Sequence, residues 1–170
     1  MIKKRLIATI FVLLFIVAGC GYRLSGGGAL PGNVTRVSVS MFQNQSFETG
    51  AETIFTSALI RTLVEKTDAQ IVARKEADAV ISSTIKSITM GALTRTSDDA
   101  VIERLVGAVL DLYMVNNEGE TIWSVRNFSQ SEVYTVSSAN MSDEAAKREA
   151  IEKIADRISE RIISKMRDNF

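Results

Sequence analysis

The stretch of sequence that decides the fold is residues 101–136, which read VIERLVGAVLDLYMVNNEGETIWSVRNFSQSEVYTV. Its first part alternates with the period of two that is typical of a half-buried strand. The apolar phase of this alternation consists of Ala108, Leu110, Leu112 and Met114. The following Asn116-Asn117-Glu118-Gly119 accepts positive φ angles readily and is typical of a tight turn. We therefore predict a long hairpin with strands over residues 101–115 and 121–136.

Two further strands and a helix are predicted before this hairpin. Residues 34–41 alternate valines with polar side chains, as a half-buried strand does. Thr49 and Glu52 stand three residues apart as in a capping box, and an apolar stripe at helical spacing follows them. Residues 77–90 alternate again, and a change of phase at residues 86–87 predicts a β-bulge.

A long amphipathic helix is predicted to close the chain. Asn140 or Ser142 can cap it, and acidic residues fill its first turn, where the helix dipole favours negative charge. The resulting order of elements is β-α-β-β-β-α. It predicts an α+β fold, a two-layer sandwich in which two amphipathic helices pack on one face of a mostly antiparallel four-stranded sheet. The other face is largely polar, so we expect it to face water or the lumen of a partner.

The composition of the chain excludes several classes of protein. It has 170 residues with 20 basic and 20 acidic side chains, which suits a single domain and lacks the basic excess of nucleic-acid-binding proteins. It contains no histidine and one cysteine, which excludes the usual general base, most zinc ligand sets and an internal disulfide. We therefore predict that the protein is not an enzyme and uses no metal and no cofactor.

The N-terminus has the layout of a bacterial lipoprotein signal. Three basic residues precede an apolar run over residues 6–17, and Val17-Ala18-Gly19-Cys20 resembles the lipobox of a cysteine that becomes acylated. The apolar run is shorter than the roughly 20 residues that a membrane-spanning helix needs. We predict that residues 1–19 are a cleaved signal peptide and that Cys20 carries an S-diacylglycerol and an N-palmitoyl group.

The mature chain divides into a short lead and one domain. Residues 20–33 contain half of the ten glycines and the only proline, and they predict a lipid-anchored flexible lead. Residues 34–170 form the single α+β domain. Gly21 stands where, by resemblance to enterobacterial sorting rules, an aspartate would retain the protein in the inner membrane. We therefore expect the protein in the outer membrane, lipid-anchored, with its domain on the periplasmic side.

Several short segments of the chain resemble a known family. Cys20-Gly21-Tyr22-Arg23-Leu24, Leu30-Pro31, Val37-Ser38-Val39 and Phe42-Gln43-Asn44 are similar to the start of the lipopolysaccharide-assembly lipoprotein family, LptE. The order of predicted elements matches that family over the mature chain. The resemblance implies a lipoprotein that plugs an LptD-type outer-membrane β-barrel as a heterodimer, helps the barrel to fold and binds lipopolysaccharide.

Three arginines are the candidate ligand-binding residues under this resemblance. Lipopolysaccharide carries phosphates, and a guanidinium group offers two parallel donors to such groups. Arg95, at the predicted tip between two strands, is the first candidate for a phosphate contact, and Arg104 and Arg126 come next. The same three residues also fit the simpler interpretation of ordinary exposed arginines.

An alternative interpretation stays open on the sequence. Val37-Ser38-Val39, Phe42-Gln43-Asn44 and the strand entry Lys75-Glu76-Ala77-Asp78-Ala79-Val80 also resemble periplasmic regulatory and secretion lipoproteins. These are the activators of penicillin-binding proteins and the curli-secretion family. The activators usually carry a long tether, whereas the lead is short here. The long hairpin over residues 101–136 favours the plug family.

Overall fold

The structure is a computed structural model that describes residues 28–95, 101–136 and 140–168. The signal peptide predicted from the sequence, Cys20 and most of the lead lie outside these residues. The elements in chain order are β1 Arg36–Val39, β2 Gln43–Asn44, α1 Ala51–Lys66, β3 Gln70–Ile71, β4 Ala79–Arg95, β5 Val101–Asn116, β6 Thr121–Thr135 and α2 Asn140–Asp168.

The described residues form one mixed sheet of six strands, in the order β3-β1-β4-β5-β6 with β2 beside β4. β1 runs parallel to β4, with Val37 opposite Ala79, whereas β4, β5 and β6 are antiparallel neighbours. The α+β class is confirmed, but the predicted number of four strands is wrong, and the sheet is mixed because β1, β2 and β3 pair in parallel. The crossover through α1 makes β1 and β4 parallel. β2 and β3 have two residues each, which is too short to show a period of two.

The long hairpin forms as the sequence predicts. The side-chain oxygen of Asn116 closes its turn by accepting hydrogen bonds from the backbone N–H of Glu118 at 3.0 Å and of Glu120 at 2.9 Å. Gly119 has a φ of +84°, a conformation that glycine adopts without steric strain. The predicted β-bulge is confirmed as a register shift immediately after Ile85.

One face of the sheet is buried beneath the two helices, as predicted. Alternate residues of β4 and β5 and the apolar stripes of both helices form one core, in which burying each large side chain stabilises the fold by about 1.5–3 kcal/mol. Leu30 is buried in the same core, so packing begins within the last residues of the lead. The largest buried side chains of the strands and helices are Ile81, Ile85, Leu110, Leu112, Met114, Phe55, Leu59, Leu63, Ile154, Ile158 and Ile162.

The start of α1 differs from the prediction. Gly50 occupies the N-cap position with a φ of +87°, and no side chain caps the helix. The predicted capping box is therefore wrong, because Thr49 lies one residue before the cap. The carboxylate of Glu52 instead accepts a hydrogen bond from Asn44 Nδ2 at 2.9 Å. The pKa of Glu52 is lowered, first by its own backbone N–H and then by the Asn44 side chain.

Candidate functional site

The face of the sheet opposite the helices is the candidate interaction surface, and we call it the open face. The strand register places its side chains in rows that cross β4, β5 and β6. Most of these side chains are small or carry a hydroxyl group, and they are exposed or half-buried. Three of the rows are Ser82, Tyr113 and Ser124, then Ser87, Val109 and Ser129, then Thr89, Gly107 and Ser131.

The middle of the open face is a shallow trough at Gly107 with a volume of about 240 Å³. A Cβ atom added at Gly107 would come no nearer than 3.5 Å to Thr89 Oγ1, so the trough arises from small side chains and not from tight packing. Beyond it, Leu105 and Val133 stand opposite each other and are both exposed. The open face therefore changes from hydroxyl-rich to apolar towards the β4–β5 connection.

A hydrogen-bonded network fixes the backbone on another part of the open face. Asn127 has a φ of +51°, which is unusual for a residue other than glycine. Its backbone N–H donates to Asp111 Oδ1 at 2.6 Å, and its side-chain oxygen accepts from Lys86 Nζ at 2.7 Å. The network lies where the register of β5 and β6 shifts, between Leu110 and Leu112. It therefore holds a second bulge in place.

Arg126 lies beside this network on the open face. Its Nε donates a hydrogen bond to the Tyr113 hydroxyl at 3.1 Å, and its guanidinium carbon is 6.0 Å from the centre of the Tyr113 ring. This hydrogen bond is the first cause of the raised pKa of Arg126. The charge of nearby Asp111 raises this pKa further, although the salt bridges among the described residues do not include Arg126. Its remaining donors are therefore available to an anion.

The other two candidate arginines lie elsewhere. Arg104 lies on the helix side of β5, where its Nη1 is 3.5 Å from Asp143 Oδ2 in α2. Arg95 is the last residue of β4, next to residues 96–100, which are outside the described part of the chain. Arg126 lies beside the network of Asp111, so the position of Asp111 on β5 marks where Arg126 is. Arg104 is seven residues from Asp111 along β5, which is about 23 Å at the rise of a strand. The structure therefore does not bring Arg104 and Arg126 into one site.

A groove of about 570 Å³ lies between the two helices. Its arginines are paired with acids across and along the helices. Arg61 pairs with Asp156, and Arg148 Nε is 3.3 Å from Glu152 Oε1. Because each guanidinium group is neutralised by a carboxylate, the groove lacks the excess positive charge that a phosphate site needs.

Metal ligands do not cluster in the described residues, since no group of three or more His, Cys, Asp or Glu side chains within them could hold a metal ion. No helix in this part of the chain is long and apolar enough to cross a membrane. The network of Lys86, Asp111 and Asn127 was not among the features predicted from the sequence. One signal for it was present, namely an aspartate in the exposed phase of a strand that faces an asparagine in the returning strand.

Solved structures of bacterial lipoproteins share this fold. Lipoprotein B from Nitrosomonas europaea is similar with a TM-score of 0.56 and 17% identity, over 86% of this chain and 90% of that one. The rare lipoprotein B from Shewanella oneidensis is similar with a TM-score of 0.52 and 12% identity, over 77% of this chain and 92% of that one. At these identities the likeness shows the fold alone, which is one that bacterial lipoproteins adopt.

A family profile makes the assignment narrower. The profile of the lipopolysaccharide-assembly family, LptE, matches residues 34–166. The chain belongs to the LptE family, which confirms the resemblance that the N-terminal segments indicated. No curated protein sequence matches the chain.

Proposed function

We propose that this chain is an outer-membrane lipoprotein that acts as plug and assembly partner of an LptD-type β-barrel, with which it forms a heterodimer. We also propose that it binds lipopolysaccharide on its way to the cell surface. The family match over residues 34–166 carries the proposal. The work of the chain is then to fill and support a barrel and to hold a lipid, without a covalent reaction.

The open face supports the partnership with a barrel. A wide outer-membrane barrel encloses a polar lumen. Serine and threonine hydroxyls both donate and accept hydrogen bonds, so a hydroxyl-rich sheet face can pair with the polar groups of such a wall. The rows around Gly107 supply these hydroxyls, and Leu105 with Val133 adds an apolar patch. The open face is thus suited to a contact that is partly polar and partly apolar.

Acylation of Cys20 would hold the domain close to the membrane. Acyl chains contribute about 0.8 kcal/mol per buried methylene, and a single chain anchors only marginally, so three chains give a lasting attachment. The lead from residue 20 to the first described residue, Gly28, spans at most roughly 28 Å when fully extended. The domain therefore stays within reach of a barrel in the same membrane.

The proposal predicts a stable complex with a barrel protein. A C-terminally tagged chain is purified from native outer membranes in mild detergent, and the co-eluting proteins are identified by mass spectrometry. We expect an LptD-type barrel in equal amount, and a chain that begins at Cys20 with the mass of three acyl chains. A murein synthase or a ring of identical subunits in place of the barrel would contradict the proposal and favour the regulatory or secretion interpretation.

Binding of lipopolysaccharide gives a second prediction. We expect Arg126→Ala to weaken the affinity of the purified chain for lipopolysaccharide about tenfold, because a charge-assisted contact to phosphate is lost. Arg95→Ala is expected to act in the same direction. Arg104→Ala is expected to act less, because its guanidinium group already pairs with Asp143. Equilibrium titration with fluorescent lipopolysaccharide measures the affinities.

The matched control for this titration is Arg148→Ala. Arg148 is an exposed arginine on the opposite side of the molecule, and it pairs with Glu152. We expect the Arg148→Ala variant to bind lipopolysaccharide as the unmodified chain does. Equal affinities for the Arg126→Ala variant and the unmodified chain would show that Arg126 makes no phosphate contact.

A further inference from the structure

Phe47 is the most exposed large apolar side chain of the described residues. Its relative exposure is 105%, whereas the other exposed large apolar side chains lie between 38% and 64%. Partly exposed apolar residues are ordinary on protein surfaces. Full exposure of a phenylalanine is different, because its ring then adds nothing to the core of its own chain. The packing of the domain therefore gives no reason for a phenylalanine at position 47.

The loop that carries Phe47 is held by the side chain of Asn44. Asn44 Nδ2 donates to the backbone oxygen of Glu48 at 2.8 Å and to Glu52 Oε2 at 2.9 Å. Asn44 Oδ1 accepts from the backbone N–H of Ser46 at 3.0 Å and from its hydroxyl at 2.7 Å. Ser46 Oγ in turn accepts from the backbone N–H of Glu48 at 3.2 Å. The residues on both sides of Phe47 are therefore fixed.

Two other elements hold the same loop from outside. The backbone N–H of Gln45 donates to the backbone oxygen of Ile85 in β4 at 2.9 Å. Glu48 Oε1 lies 3.1 Å from Lys147 Nζ in α2, and Lys147 also lies 2.7 Å from Glu144. The pKa of Lys147 is raised, first by its hydrogen bond to Glu144 and further by the one to Glu48. The loop is thus tied to both layers of the fold.

A rigid loop with an exposed aromatic side chain suits a partner that has an apolar pocket. Burial of a phenylalanine side chain gains about 1.5–3 kcal/mol. A loop that is already ordered loses little conformational entropy on binding, so more of this gain appears as affinity. Single side chains that fill a desolvated pocket dominate the energetics of many protein interfaces. The Phe47 loop has both properties, exposure and rigidity.

The surroundings of Phe47 favour a protein over a lipid surface. Residues 43–52 contain two acids, Glu48 and Glu52, and no basic residue. Segments that insert into a membrane surface combine several apolar residues with lysine or arginine. The loop also precedes α1, whereas Gly28 pairs with Thr67 just after α1. α1 has 16 residues, so its first and last residues are about 24 Å apart. Phe47 therefore lies far from the point where the lead enters the domain.

We infer that Phe47 is a docking residue that inserts into an apolar pocket on the barrel polypeptide. The inference rests on the proposed function, because that function names the barrel as the partner. Asn44 is the positioning residue of this contact, since its side chain holds the loop on both sides of Phe47.

The test compares two substitutions of exposed apolar residues in the full, lipidated chain. Phe47→Ser is expected to lower the amount of barrel that co-purifies in detergent about tenfold. Val64→Ser, on the exposed side of α1, is the matched control and is expected to retain the barrel. Thermal melting of both purified variants is expected to match the unmodified chain, because neither side chain is buried.

Cross-linking locates the contact directly. A photoreactive benzoylphenylalanine replaces Phe47 in one sample and Val64 in another, and the products are identified by mass spectrometry. We expect a barrel cross-link from position 47 and none from position 64. Unchanged barrel recovery with Phe47→Ser, or a cross-link from position 47 to lipid alone, overturns the inference and leaves the proposed function standing. If no barrel protein co-purifies with the unmodified chain, the proposed function itself is overturned.

Discussion

Leu110→Ala is expected to lower the free energy of unfolding by about 2–5 kcal/mol. Leu110 lies in the middle of β5, fully buried, with Ile85 and Phe128 directly opposite it on the two neighbouring strands. Its replacement removes apolar contacts and leaves a cavity between the sheet and the helices, which cannot fully collapse around it. The melting temperature should fall by roughly 10 °C for a domain of this size. Thermal and urea unfolding, followed by circular dichroism, measure the loss.

The control is the same substitution on the other face of the same strand. Leu105 lies on the open face and is 38% exposed. Because Leu105 loses less contact on truncation, Leu105→Ala is expected to cost well under half of the Leu110→Ala value. A similar loss for the two variants would contradict the assignment of a buried face and an open face to β5.

The long hairpin was predictable because its pattern is local and long. An alternation that continues over residues 101–115 fixes which phase is buried, and a turn sequence rich in asparagine and glycine fixes the reversal. The bulge after Ile85 was predictable for the same reason, since one extra residue in a long strand reverses the phase of the alternation that follows it.

The parts that the sequence did not predict depend on contacts between distant residues. β2 and β3 are short, and their strand conformation follows from pairing with β4 and β1. β4 extends to Arg95, beyond the predicted end at residue 90, because β5 offers hydrogen-bond partners along its length. The prediction of the α1 cap, by contrast, was wrong for a local reason. Gly50, in a left-handed conformation, occupies the N-cap position that was predicted for Thr49.

The candidate site also has some features that the local sequence predicts and others that depend on contacts between distant residues. The sequence placed Arg126 on a strand, but its hydrogen bond to Tyr113 depends on the register between β5 and β6. The ion pair of Arg104 with Asp143 joins residues of different elements and leaves no local sequence signal. Phe47 did leave a signal, a single aromatic residue in a polar loop. The rigidity of that loop follows from bonds of the Asn44 side chain that no pattern encodes.

Asp111→Ala is expected to have the second largest effect on stability, about 1–3 kcal/mol. The Asp111 carboxylate accepts the backbone N–H of Asn127 at 2.6 Å, at a residue whose φ is +51°. Alanine removes this acceptor and leaves the bulge of β6 without the bond that holds its left-handed residue. Lys86, 3.9 Å from the same carboxylate, loses this ion pair as well and keeps only its hydrogen bond to Asn127. Urea unfolding of the variant measures the loss of free energy.

Substitutions at Asn127 separate the backbone conformation from the hydrogen bond. Both Asn127→Gly and Asn127→Ala lose the hydrogen bond from Lys86, but Asn127→Gly is expected to cost less, because glycine adopts a φ of +51° without steric strain and keeps the N–H that Asp111 accepts. Asn127→Ala keeps the same N–H but places a Cβ atom in the left-handed region, which costs about 1–2 kcal/mol. If Asn127→Ala and Asn127→Gly were equally stable, the bulge would not need the left-handed residue. Asp111→Asn tests the hydrogen bond separately, since it removes the charge but keeps an oxygen that can accept the Asn127 N–H, so it is expected to cost less than Asp111→Ala.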